Sequence, residues 1–192
     1  MTSKLKTDVL ETGSGSGTIA LNNQLSGMTS ASMPSGSVLQ VVSVTKSDTF
    51  SVSGTTFTDV TGLAATITPT STSSKIMVQV TMNLDGSERY GGAKLLRGST
   101  QIGMGDASGS RTRMLIQADT NQDANYDTNL MHNGSASIQD SPATTSATTY
   151  KVQIGHPNAS GAVTYCNRSH GNSDGASTAV GMSTITLTEI KG

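Results

Sequence analysis

Between Ile76 and Leu84 every second residue is apolar: Ile76, Val78, Val80, Met82 and Leu84 alternate with Met77, Gln79, Thr81 and Asn83. Side chains of a strand point alternately to its two faces, so this run gathers five apolar groups on one face and leaves the other mostly polar. A helix would scatter the same residues around its circumference. Tyr150, Val152 and Ile154 alternate with Lys151 and Gln153, and Ile185 and Leu187 sit between Thr184, Thr186 and Thr188. These patterns predict half-buried strands of antiparallel sheet. No window of a dozen residues carries apolar groups at spacings of three and four without Gly, Pro or a Ser/Thr cluster intervening, so helices are not expected.

Further strands are expected over 38–44, 50–53, 62–68, 93–96, 101–104, 114–117 and 135–139. Turn signals separate them at Ser53-Gly54, Pro69, Asp85-Gly86, Arg97-Gly98, Asn133-Gly134, Ser141-Pro142 and His156-Pro157. Lys94 to Ile102 reads as one hairpin turning at Gly98, which can take the positive φ of a tight turn. Short strands at regular spacing, joined by polar turns, predict an all-β antiparallel sandwich or jelly roll over residues 37–192.

Composition agrees. The 192 residues include 21 Gly, and only 13% are charged, against a usual share of about 25%; Ser and Thr make up roughly 30%. Leu, Ile, Val and Phe are scarce enough to raise the question of disorder, but a net charge of −1 lacks the repulsion that keeps such chains open. With two Phe, four Tyr and no Trp, the core of a lone protomer is expected to be thin, and a homo-oligomer is expected to complete it.

Residues 1–36 have another character. Two short extended pieces, 5–10 and 18–21, flank Gly13-Ser14-Gly15-Ser16-Gly17, and a Ser/Gly/Met-rich stretch follows. This segment cannot build a core of its own, so it is expected to order against symmetry mates or another protein through Leu5, Val9, Leu10, Ile19 and Leu21.

Several partner and site classes fall away. A pI near 6.3 without a basic cluster argues against nucleic acid. No apolar run approaches the roughly 18 residues of a membrane helix, and the opening lacks a basic-then-apolar pattern, so neither membrane insertion nor a secretory leader is expected. A single cysteine, Cys166, excludes internal disulfides, and paired with His170 it supplies only two of the four ligands of structural zinc. The 119–127 stretch, with oxygen-bearing side chains at Asp119, Asn121, Asp123, Asn125 and Asp127, opens like a calcium loop. Ala124 then stands where that loop needs Gly, and Leu130 where it needs Glu. No nucleophile elbow, phosphate loop, zinc-protease or dinucleotide motif is present. No catalytic residue, metal or cofactor is therefore expected. The best contact residues are Arg89, Tyr90, Arg111, Arg113 and Tyr126, because Tyr and Arg are favoured binding anchors and these stand in or near Gly/Asn/Asp-rich loops.

The segments 2–19, 33–42, 67–76, 95–99, 140–150 and 185–190 carry a wider likeness, seen in Leu95-Leu96-Arg97-Gly98-Ser99 and Ile185-Thr186-Leu187-Thr188-Glu189-Ile190. Through them the chain resembles virion fibre and knob proteins of tailed bacteriophages, marine and cyanobacterial ones in particular. The resemblance implies a homotrimeric appendage on the particle surface. Its extended N-terminal segment would attach to another virion protein of capsid or tail, and its head would be a jelly-roll sandwich like those of viral and tumour-necrosis-factor-like proteins. The implied role is host attachment, through a surface glycan or envelope protein. A capsid-decorating protein that binds no receptor is the first alternative, and a small polysaccharide depolymerase using two carboxylates is the second.

Overall fold

The computed structural model describes residues 29–87, 90–119, 131–171, 173–176 and 178–192. The expected attachment residues Leu5, Val9, Leu10, Ile19 and Leu21 lie outside them, as do Arg89, Tyr126 and residues 120–130 of the calcium-like stretch. The chain divides into two units, Met1–Met33 and Pro34–Gly192. In the first, the described residues form one 3-10 turn, Ser30–Ser32, in which the Thr29 amide donates to Ser32 Oγ at 3.0 Å.

Among the described residues of the second unit, the regular structure is all strand. In chain order the strands are β1 (Val38–Lys46), β2 (Phe50–Ser53), β3 (Thr58–Ile67), β4 (Lys75–Gly86), β5 (Tyr90–Arg97) and β6 (Thr100–Ile102). They continue with β7 (Ile116–Asp119), β8 (His132–Asp140), β9 (Thr148–Gly155), β10 (Val163–Cys166) and β11 (Ser183–Ile190). One sheet runs β8–β4–β11–β1, with β10 and β2 continuing beside the far end of β4. The other runs β3–β9–β5, and β6 and β7 share the remaining edge of β5. Every pairing is antiparallel. The chain passes back and forth between the two layers, as in the jelly-roll sandwich that period-two patterning predicts.

The core lies where the alternation puts it. Ile76, Val78, Val80, Met82 and Leu84 of β4 are at most 1% exposed, and Tyr150, Val152, Ile154, Ile185 and Leu187 are wholly buried. Leu63, Ile67 and Leu95 join the same cluster from the second sheet. Each such aliphatic side chain stabilises the fold by about 1.5–3 kcal/mol relative to exposure. The Lys94–Ile102 hairpin forms as expected, with Gly98 at φ 59°.

Other local expectations need correction. Asp85-Gly86 is not a turn but the end of β4, where the two residues pair with Tyr165 and Thr164. Asn133-Gly134 lies inside β8, opposite Asn83 and Met82. Space explains both glycines: a Cβ on Gly86 would stand 2.1 Å from the Tyr90 carbonyl oxygen, and one on Gly134 2.4 Å from Ile116 Cγ2. Strand β7 begins two residues later than expected, β6 ends at Ile102, and β3 starts at Thr58. Strand β10 was not anticipated at all.

Three sets of polar groups at the margins of the core are held by hydrogen bonds. Arg97 Nη1 donates to both Asp140 oxygens at 2.8 Å, and the Tyr150 hydroxyl donates to Asp140 Oδ2 at 2.6 Å. This clasp joins the two sheets; burial, and then the Asp140 charge, push the Tyr150 hydroxyl well above its ordinary range. Asn167, buried at φ 63°, donates through Nδ2 to the Lys46 and Asp48 carbonyls and accepts from the Ser183 hydroxyl. Glu189 is wholly buried on the inner side of β11. Its carboxylate accepts from the Thr70 amide at 2.7 Å, the Thr70 hydroxyl at 2.8 Å and Gln40 Nε2 at 2.6 Å. Burial alone would raise its pKa, but the nearby Ser74 hydroxyl, the Gln40 amide and Thr70 outweigh burial and lower it.

Candidate binding cleft on the second sheet

At one end of the second sheet a row of three strands is almost bare of side chains. Gly92 of β5 lies between Gly155 of β9 and Gln117 of β7. Both glycines are covered by neighbouring residues: a Cβ on Gly92 would meet Met114 Sδ at 2.2 Å, and one on Gly155 would meet the Phe57 backbone and ring at 3.0–3.1 Å. Tyr90 and Gln117 of the neighbouring strands line an open cleft of about 470 Å³, within the usual range of small-ligand sites of about 300–1,000 Å³.

Three pieces of chain frame it. Tyr90 enters from the start of β5, two residues before Gly92, on the same outer face. Pro157 and Asn158 follow the end of β9. Their turn is fixed by His156, whose Nδ1 accepts the Asn158 and Ala159 amides at 3.3 and 2.9 Å. The buried His156 ring also supports Tyr90, at 6.3 Å between centroids and tilted by 51°. The third piece is the long connection from β6 to β7, which brings Ser110, Arg111, Thr112 and Met114 to the cleft. It is tied down where the Leu115 amide donates to the Ala93 carbonyl at 2.8 Å and Gln101 Nε2 donates to the Arg113 carbonyl at 2.9 Å.

Arg111 is placed by its own turn. Gly109 takes φ 56°, the Arg111 amide donates to the Ser108 carbonyl, and Arg111 Nη1 donates to Ser108 Oγ at 3.1 Å. Of the expected contact residues, Tyr90 and Arg111 therefore meet at one cleft. Arg113 does not line it; its Nη1 lies 3.5 Å from the Gly105 carbonyl instead. Gln117, Pro157 and Asn158 were not anticipated, since only strand register brings them to Tyr90.

No family model matches the chain, and no curated protein matches it either.

The cleft offers three kinds of group. The Tyr90 ring, Met114 and Pro157 supply apolar area; Ser110, Thr112, Gln117 and Asn158 supply neutral donors and acceptors; Arg111 supplies a cation. Among the described residues no carboxylate lines it. The carboxylates of Asp59, Asp140 and Glu189 are occupied at separate places in the fold. Asp85 is buried and accepts the Gly86 and His170 amides; its pKa is raised by desolvation, against the opposing effect of those bonds. Cys166 is buried beside the Ser183 hydroxyl, 3.6 Å away, and burial pushes its thiol pKa up, the opposite of what activates a nucleophile. The His170 ring packs on Tyr165, 5.7 Å between centroids.

Proposed function

We propose that the chain is a surface protein of a bacteriophage particle, a homotrimeric knob or fibre head that attaches to its host by binding a surface glycan in the Tyr90–Arg111 cleft, without bond chemistry. The observation that carries this reading is the meeting of Tyr90 and Arg111, distant in sequence, in one cleft of about 470 Å³. An aromatic ring with amide and hydroxyl groups around it suits a sugar, which offers an apolar C–H face and a hydroxyl rim. The resemblance to fibre and knob sequences supports the particle location and assigns attachment to the N-terminal segment. Support for the oligomer comes from the outer face of the first sheet, where uncharged rows of mostly Ser, Thr and Gln, with Met77 and Val41 among them, run across the strands. Three weak sites on one trimer would bind multivalently, so modest affinity at each is enough for adhesion.

The test is binding of the purified full chain to host cells. Arg111→Ala and Tyr90→Ala are each expected to lower cell binding at least about tenfold, the loss of one anchor contact, with melting of Arg111→Ala unchanged. Undiminished binding by both variants would remove the cleft from attachment and leave the decorating role.

A further inference from the structure

We infer that the ligand of this cleft is an acidic glycan, and that Arg111 holds its carboxylate. This rests on the attachment reading above and adds the chemical class of the sugar. The argument starts from how the chain treats its other cations. Arg97 is paired with Asp140 and Lys151 with Asp59, while Lys46 reaches Asp48 at 2.7 Å. Arg168 lies over the Tyr165 ring at 4.1 Å and Lys94 over the Phe57 ring at 3.9 Å. Arg111 has neither kind of partner among the described residues; Lys75 and Arg113 likewise have only neutral ones, the Ser141 hydroxyl and the Gly105 carbonyl, but of the three Arg111 alone lines the cleft. Among the described residues its contacts are to Ser108, and these use the backbone amide and one side-chain nitrogen.

Guanidinium carries five donors in a planar fork, so several N–H groups stay available beyond the Ser108 bond. That fork matches the two oxygens of a carboxylate, and a charge-assisted pair is about twice as strong as a neutral hydrogen bond. No carboxylate lines the cleft among the described residues, so Arg111 is the charge that an incoming carboxylate meets there. Tyr90 and Pro157 would pack the sugar ring while Gln117 and Asn158 meet its hydroxyls. With a chain net charge of −1 there is no broad positive field to attract polyanions, so preference for acid must come from this one contact, acting within about 8 Å at physiological salt.

The experiment is an array of acidic and neutral glycans, including hexuronate oligosaccharides beside their carboxyl-reduced forms, probed with the full chain and with Arg111→Gln. The expected result is signal on acidic members at least about tenfold above their reduced counterparts, the factor of one charge-assisted pair. Arg111→Gln should abolish that difference by bringing the signal on acidic members down to that on their reduced counterparts. Equal signal on acidic and reduced forms with the unaltered chain would overturn the acid preference and leave glycan attachment standing. No signal on any member would overturn both.

Discussion

Glu189 occupies the position after Ser183, Ile185 and Leu187 in the inward register of β11, where the alternation calls for an apolar side chain. Its carboxylate instead collects the Thr70 amide and hydroxyl and the Gln40 amide, tying β11 to β1 and to the turn after β3. Those bonds hold its folded pKa below the ordinary 4.5. A depressed carboxylate stabilises the fold above its unfolded pKa, and that contribution is lost as pH falls through the folded value. Glu189→Gln should therefore cost about 1–3 kcal/mol at pH 7, because the amide cannot accept from every donor around it. The gap between the two proteins should narrow near pH 3. Asp85, whose raised pKa works in the opposite sense, is common to both proteins and cancels in their difference. Urea unfolding at the two pH values measures this; an equal gap at both would mean that the charge of Glu189 contributes nothing.

Among elements, β8 is the strand whose place depends most on one missing side chain. Gly134 lets it pass Ile116 of β7, whose Cγ2 would be 2.4 Å from a Cβ at that position. Gly134→Ala should destabilise the sandwich by about 1–3 kcal/mol through overpacking. Combined with Ile116→Ala, which removes the obstructing methyl, it should cost at least about 1 kcal/mol less than the two single changes added together. Additive losses in thermal or urea unfolding would place the strain elsewhere. The same glycine shows where sequence reading stops: Asn133-Gly134 has the composition of a turn, and only the partner strand reveals why glycine is needed mid-strand. Strands β4, β9 and β11 were legible because each buries one face, so burial writes period two into the sequence. Strand β10 was not, since Thr164, Tyr165 and Cys166 are buried in succession and leave no alternation to read. The cleft was half legible for a related reason. Tyr90 and Arg111 stand out by residue type, whereas Gln117 and Asn158 reach it through the pairing of Gly92 with Gln117 and Gly155.

At the scale of the molecule, the two outward sheet faces differ in where charge stands: on the first, Lys75 lies at the end of β4, outside the middle rows. The second sheet presents Asp59, Lys94 and Lys151, with the Lys151–Asp59 ion pair at 2.7 Å. On the first, cross-strand rows run Ser137–Gln79–Thr186–Ser43, Ser135–Thr81–Thr184–Thr45 and Gln139–Met77–Thr188–Val41. No charge enters these rows. Val41 at its edge is 58% exposed, and Met182, just before β11, is 60% exposed. Hydroxyl and amide groups both donate and accept, so such a face is complementary to another copy of itself, and depletion of charge is what marks the core of an interface. The proposed trimer would use this face. Gln79→Arg, at an exposed position in the middle of the grid, puts a cation where a neighbouring copy would bury it, at a cost of several kcal/mol without a partner. Light scattering should report a mass three times that of the 19.6 kDa chain for the unaltered protein and for Thr66→Arg on the opposite sheet, and a single chain for Gln79→Arg, with the strand signal in circular dichroism unchanged. An intact assembly in Gln79→Arg would move the interface to another surface, and a monomeric unaltered protein at micromolar concentration would mean that the sandwich completes its core alone.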